Sequence, residues 1–466
     1  MTKFIFCFLL ISFSTIGFAQ DILGRWYGLL DIMGTQLPFE FNIKDENGKL
    51  TATMDSPDQK AFNIPVPSVS FEKGILKLEI EAAKFSYVGA LSDDQKLIGT
   101  FKQMGQEFPL NLSKTKAQKT IVNHPQEPKA PFSYRSEEIS FENQKAGIKL
   151  AGTLTLPSKG KKFPVVILIT GSGPQNRDSE MLGHKPFLLW ADYLTKLGIA
   201  VLRYDDRGVG LSGGKFKGST TADFATDVEA ALTYLKTRKD IDTKKMGLIG
   251  HSDGGIIAPI VASRNKSVRF IVLLAGTGIP GHDLLLTQQE LVSRASGVSE
   301  EDIATNKKMN QALFSVIVQY TDETQLKAEM KKILVDQFNS FKADELPADM
   351  NADKFVELNS LYYLDPWMLY FLRYDPKSAL TKVKCPVLAV NGDKDLQVPA
   401  QVNLDAIAQH LKTAKNKNVS IKTFPYLNHL FQECSTGSPE EYGKIEQTIS
   451  PQVLEEVSSW ILKRVN

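Results

Sequence analysis

The chain has 466 residues, 42% of them hydrophobic and 23% charged, too many for one ordinary domain and too apolar for a disordered chain. Its 55 Lys and Arg against 53 Asp and Glu leave a formal charge of +2. No basic run is long enough to neutralise a row of phosphates, so no nucleic-acid partner is expected.

At the N-terminus Lys3 precedes an apolar run from Phe4 to Phe18, with Gly17 and Ala19 as the small residues a signal peptidase requires. This predicts a signal peptide over 1–19 and export to the periplasm or medium. A spanning helix needs about 20 apolar residues, so no membrane span is expected once the signal is cleaved. Cys7 lies inside the signal, which leaves Cys385 and Cys434. Two cysteines are too few for a disulfide framework or a thiolate metal site, so they are expected free or buried, with one optional pair.

From Gly24 to Ser113 apolar residues alternate with polar ones, as in Leu37, Phe39, Phe41 and Ile43, with turn signals such as Asp45-Glu46-Asn47-Gly48 between. Residues 20–113 therefore read as a small all-β domain of six to eight strands, either a barrel or a sandwich. A Lys- and Pro-rich tract over 114–131 reads as a linker.

Past Phe132 the pattern changes to apolar runs separated by amphipathic stretches, the mark of a mostly parallel sheet covered on both faces. Strands are predicted over Lys149 to Leu156, Pro164 to Thr170, Gly198 to Tyr204, Lys245 to Gly250, Arg269 to Ala275, Pro386 to Gly392 and Val419 to Phe424. Helices are predicted over Phe187 to Leu197, Thr221 to Arg238, Asp253 to Arg264, Gln401 to Ala414 and Pro451 to Arg464. Between Ala275 and Pro386 the connection is far longer than a loop, and its apolar spacing predicts a helical cap at about 280–378. The cap ends in Tyr362, Tyr363, Trp367, Tyr370, Phe371 and Tyr374, rings that either pack the insert onto the body, the favoured reading, or wall a pocket.

Gly250-His251-Ser252-Asp253-Gly254 joins a predicted strand to a predicted helix, the context in which G-x-S-x-G forces a serine out at the carboxyl edge of a sheet. A serine hydroxyl needs a base, and the base an orienting acid. Asp395 and His429 follow the two later strands in the order this fold requires, whereas Asp393, a rival acid, is assigned as a local cap of its own turn. Of the six histidines only His429 follows a late strand. His251 is read as packing, pointing away from Ser252. The remaining donors for an oxyanion are expected to be the backbone N–H groups of Asp253 and of Ser172, with Gly173 as the alternative to Ser172.

Neither His-x-x-x-His nor Cys-x-x-Cys occurs, so no metal and no cofactor is expected. Gly208-Val209-Gly210-Leu211-Ser212-Gly213 matches G-x-G-x-x-G, but helical patterning resumes only near Thr221, too late to present a helix N-terminus to a pyrophosphate. Asp205, Asp206 and Arg207 are read instead as a buried polar turn.

These residues, with Gly171-Ser172-Gly173-Pro174-Gln175 and the run Leu202 to Ser212, resemble the α/β-hydrolase superfamily over 132–466, and within it bacterial serine carboxylesterases of the EstD type that carry an N-terminal β domain. The resemblance implies an α/β-hydrolase fold with a helical cap, a Ser252, Asp395, His429 triad, and hydrolysis of short acyl esters without a cofactor. Thr170 departs from the pattern, since many relatives carry His there. The alternatives are a peptidase related to prolyl oligopeptidase, a thioesterase, or a ligand-binding protein whose hydrolase domain is vestigial.

Overall fold

The structure is a computed structural model describing residues 22–32, 35–103, 106–116, 118–119, 122–341, 346 and 350–466. The expected signal peptide lies outside these residues. The chain divides into two compact units, the break falling after residue 121.

The first unit is one antiparallel sheet of ten strands: β1 Gly24–Ile32, β2 Thr35–Glu46, β3 Lys49–Ser56, β4 Ala61–Val66, β5 Ser68–Glu72, β6 Ile75–Ile80, β7 Phe85–Leu91, β8 Leu97–Gln103, β9 Gln106–Pro109 and β10 Leu112–Ser113. Its order is β4-β3-β2-β1-β10-β8-β7-β6-β5, with β9 on β8. Alternation sets the two faces: β6 buries Leu76, Leu78 and Ile80 and turns Ile75, Lys77 and Glu79 outward. Inward side chains from distant points of the order, among them Met54, Phe41, Trp26, Phe101 and Leu78, share one core. The sheet is therefore curled into a nearly closed barrel, which decides between the two architectures that alternation left open.

The second unit begins at Val122, ten residues before the expected start of the hydrolase domain. Its strands are β11 Arg135–Asn143, β12 Ile148–Leu156, β13 Phe163–Ile169, β14 Ala200–Tyr204, β15 Ile241–His251, β16 Val268–Leu274, β17 Val387–Gly392 and β18 Val419–Phe424. The helices are α1 Pro186–Lys196, α2 Thr221–Thr237, α3 Gly254–Arg264, α4 Gly281–Ala295, α5 Glu300–Gln319, α6 Glu323–Ser340, α7 Ala352–Tyr363, α8 Pro366–Arg373, α9 Lys377–Leu380, α10 Ala400–Thr413 and α11 Pro451–Val465.

The sheet order is β11-β12-β14-β13-β15-β16-β17-β18, antiparallel at β11-β12-β14 and parallel from β14 onward. This is the α/β-hydrolase arrangement, and the sheet has a hydrophobic core on each face. One holds α1 and α11 through Trp190, Val457 and Ile461. The other holds α2, α3 and α10 and continues into the insert α4 to α9. The insert packs largely on its own rings, Phe314 against Tyr363 with centroids 5.7 Å apart and Trp367 stacked on Phe371 at 5.2 Å. No helix among the described residues is long and apolar enough to cross a membrane.

The second half of the expected linker is part of this unit. Gln126 Oε1 accepts from the backbone N–H groups of Thr448 and Ile449 at 2.6 and 3.1 Å, and its Nε2 donates to the Ile449 carbonyl at 2.8 Å. Beside it Glu127 pairs with Lys185 at 2.7 Å and the His124 ring lies 4.2 Å from that of His184.

Candidate active site

Strand β15 runs straight into Ser252, whose φ of 54° is the left-handed conformation a residue with a Cβ adopts only under constraint. The constraint comes from neighbours that leave no room for side chains. A Cβ on Gly250 would strike the Gly254 carbonyl, and one on Gly254 the Ile169 carbonyl. The glycines thus let the elbow close against β13. Ser252 N–H donates to the Leu274 carbonyl at 2.9 Å, and the Ser252 carbonyl accepts from Gly255 at 2.8 Å, which opens α3.

His429 and Asp395 come from the loops after β18 and β17. Asp395 is buried, its Oδ2 2.8 Å from His429 Nδ1, while its Oδ1 accepts from the Gln397 and Val398 backbone N–H groups at 2.8 Å each. Both carboxylate oxygens are therefore hydrogen-bonded, as a buried carboxylate requires. Ser252 and His429 line one cavity of about 100 Å³. The structure thus brings all three predicted residues to the carboxyl edge of the sheet.

Asp393 is not the local cap expected for it: its Oδ1 accepts from the Tyr426 N–H at 2.6 Å, tying the loop after β17 to the loop after β18. His251 does pack, but it also lines the cavity with Ser252, and its Nε2 lies 3.0 Å from the His429 carbonyl. Burial first, and the neighbouring His429 second, push its pKa down to about 4, so a neutral imidazole donates its proton to that carbonyl. This support for the His429 backbone was missed at the sequence level, because a histidine inside the elbow carries no signal of where its ring turns.

The loop after β13 passes beside the elbow. A Cβ on Gly171 would lie 3.2 Å from Ser252 Cβ, and Ser172 lines the same cavity as Ser252. The Ser172 and Asp253 N–H groups, the two expected oxyanion donors, have no protein acceptor among the described residues. The loop is braced from beneath: Thr170 Oγ1 donates to Asp206 Oδ1 at 2.8 Å, and the Gln175 N–H to Asp206 Oδ2 at 3.0 Å. Burial raises the Asp206 carboxyl to about 7. Asp205 accepts from Arg177 and from the Leu211 N–H, and Arg207 grips Asp227 through Nε and Nη2 at 2.7 and 2.9 Å. The glycine run closes on itself through Gly208 N–H to the Gly213 carbonyl, and α2 starts beyond it under a Thr220–Asp223 capping box. The buried polar turn stands as expected.

On the cap side, Trp367 Nε1 donates to Asp253 Oδ2 at 3.3 Å, and Thr221 Oγ1 to Asp253 Oδ1 at 3.1 Å. Burial raises this carboxyl to about 6. Of the cap rings expected either to pack or to wall a pocket, Trp367 thus reaches the elbow, where it lines a separate space of about 10 Å³ with Ser172 and Asp253, room for about one water. Cys385 and Cys434 are both free.

A model of the X-Pro dipeptidyl-peptidase (S15) family matches residues 146–421, a span running from β12 to β18 and holding Ser252 and Asp395. The chain belongs to this family. It is a hydrolase. Among curated relatives, Esterase EstD of Thermotoga maritima is 26% identical over 335 residues, 72% of this chain and 69% of the relative. An uncharacterised 31.7 kDa protein of Escherichia coli is 24% identical over 282 residues, 59% of this chain and 88% of the relative. Among solved structures, Est1E from Butyrivibrio proteoclasticus with ferulic acid bound superposes with a TM-score of 0.40 and 18% identity, over 70% of this chain and 99% of that one.

Proposed function

We propose that the protein is an exported serine esterase that cleaves carboxylic esters of short, uncharged acids through an acyl-enzyme. The observation that carries the choice of substrate is the cavity beside Ser252 and His429: Met181, Phe187, Trp190, Leu274, Phe431 and Ile449 form much of its wall, and among the described residues no Asp, Glu, Lys or Arg lines it. A dipeptidyl substrate presents an α-ammonium, which needs a carboxylate where it is buried. Asp206 and Asp253 do not offer one here, since they face the one-water space and are already bonded. At about 100 Å³ the cavity is somewhat smaller than the roughly 150 Å³ apolar cavity that accepts benzene in another protein, a size suited to a short acyl chain.

In this reading Ser252 Oγ attacks the ester carbonyl while His429 Nε2 takes its proton, and Asp395 steadies the imidazolium through Nδ1–H. Negative charge on the carbonyl oxygen is met by the N–H groups of Ser172 and Asp253. His429 then protonates the departing alkoxide, and the acyl group on Ser252 yields to a water that His429 deprotonates, releasing the acid. Export rests on the apolar run Phe4 to Phe18 before Ala19.

The test compares p-nitrophenyl esters of graded acyl length with Gly-Pro-p-nitroanilide, each with wild type and Ser252→Ala. Ester turnover that falls by about 10⁴-fold or more in the variant at unchanged melting temperature is expected. Anilide cleavage exceeding ester cleavage would turn the assignment to a peptidase.

A further inference from the structure

Asp253 stands at the first turn of α3, where an aspartate ordinarily caps the helix by accepting from the N–H groups of that turn. Its carboxyl makes no such bond. The Gly255 N–H goes instead to the Ser252 carbonyl, and the Ile256 and Ile257 N–H groups to the Asp253 carbonyl at 2.8 and 3.0 Å, so the backbone closes the turn by itself. The carboxyl turns outward to two other elements, to Thr221 at the start of α2 and to Trp367 at the start of α8. It is buried, and among the described residues no Lys, Arg or His pairs with it. A buried carboxyl without a cation weakens a fold relative to an uncharged residue of the same size. Neither capping nor stability therefore accounts for it.

The backbone gives it a use. A peptide moves as a rigid plane, so holding the Asp253 side chain from outside limits rotation about the Asp253 N–Cα bond and with it the tilt of the Ser252–Asp253 peptide, which carries one expected oxyanion donor. The residues on either side add little restraint, since Ser252 sits at a φ of 54° and Gly254 and Gly255 follow without side chains. Trp367 is itself well seated: its backbone N–H donates to the capping Asp365 at 3.0 Å, and its ring stacks on Phe371. Helix α8 also ties the insert together. The Arg373 guanidinium donates to the Ile317 and Tyr320 carbonyls at the C-terminal end of α5 at 2.9 and 2.7 Å, and His282 Nδ1 of α4 lies 3.0 Å from the Leu372 carbonyl. We propose that Trp367 is a positioning residue of the oxyanion hole: its indole N–H, carried by the cap, holds the Asp253 carboxyl and thereby aims the Asp253 N–H at the developing oxyanion. Turnover then depends on the cap, while the choice of acid stays with the cavity beside Ser252. The inference rests on the esterase reading of the same site and adds to it what the insert contributes to the reaction.

The test measures p-nitrophenyl butanoate hydrolysis by the full chain in wild type, Trp367→Phe, Asp253→Ala and the double variant. Alongside it the Ki of 1,1,1-trifluoro-2-pentanone is measured, a ketone to which Ser252 Oγ adds reversibly, placing an oxyanion where that of the ester forms. Trp367→Phe is expected to lower kcat by about tenfold with KM held within about twofold, and to raise the ketone Ki by about the factor by which kcat/KM falls. In the Asp253→Ala background the same substitution is expected to change neither kcat nor Ki, because the link is already cut. An unchanged kcat, a loss confined to KM, or an unchanged ketone Ki in Trp367→Phe would overturn the role of Trp367 and leave the esterase reading standing. A further loss of about tenfold on adding Trp367→Phe to Asp253→Ala would do the same. If Trp367→Phe does not fold, Asp253→Asn, whose oxygen can still accept from the indole, is expected to keep more of the wild-type kcat and ketone affinity than Asp253→Ala, and equal losses in the two overturn the proposal. Failure of the wild type to cleave the p-nitrophenyl acetate, butanoate or hexanoate would remove the esterase reading and this inference together.

Discussion

Both oxygens of Asp395 accept hydrogen bonds, Oδ1 from two backbone N–H groups and Oδ2 from His429. An amide in its place must turn either its NH₂ toward Nδ1–H or its NH₂ toward the two backbone donors, so one end of it always opposes a donor. Asp395→Asn is therefore expected to lower kcat by about 10³- to 10⁴-fold while Asp393→Asn, which keeps an oxygen for the Tyr426 N–H, lowers it less than tenfold. Steady-state kinetics of the two variants side by side measure the contrast. The sequence order Ser252, Asp395, His429 was legible because each residue follows a strand of the parallel sheet, β15, β17 and β18. The choice between two aspartates only two positions apart was less so, since it depends on where each carboxyl finds its donors. Asp206 gives a pH signature of its own. Its carboxyl titrates near 7 in the folded chain against about 4 when unfolded, so as pH rises through that interval the unfolded chain loses the proton first and the fold loses stability. Asp206→Asn should flatten that loss, read as urea midpoints of variant and wild type at pH 5 and pH 8.

At the scale of elements, the site is assembled by close approaches that glycine permits. A Cβ on Gly392 would strike the Leu427 carbonyl, so Gly392 lets the loop bearing Asp395 lie against the loop bearing His429. Gly392→Ala should cost about 1–3 kcal/mol of stability by overpacking and reduce kcat well beyond what the unfolded fraction explains, because it separates the two loops. A thermal melt with activity measured well below the transition distinguishes the two effects. The buried strands β13 and β16 were readable as apolar runs and shift by one residue, and the largely exposed edge strand β18 matches its predicted bounds. By contrast β11 was missed, since most of its residues, Arg135, Glu138 and Glu142 among them, are exposed and leave no apolar run. The cavity wall was equally hidden. Beside Phe187 and Trp190 of α1 and Leu274 of β16 it takes loop residues such as Met181 and Thr448, and irregular segments have no period from which a facing side can be read.

For the molecule as a whole, composition placed the start of the hydrolase domain ten residues late, because a Lys- and Pro-rich stretch looks like a linker whether or not it is tied down. The difference can be measured. A chain starting at Val122 should keep wild-type ester turnover, whereas one starting at Phe132 loses Gln126 and should melt at lower temperature with altered acyl preference. The long excursion between β16 and β17 bears on a different question. Those two strands pair directly, so the body closes around the insert without needing its contents, and the entropy cost of lengthening such a connection grows only logarithmically. The cavity beside Ser252 draws on α1 and on the loops next to it and after β18, and among the described residues none from α4 to α9 lines it. If the cavity takes the acid, as proposed, acid selectivity and cap sequence are free to drift separately. Homologues could exchange caps wholesale and inherit the same taste for acids, while changing which alcohols reach the serine.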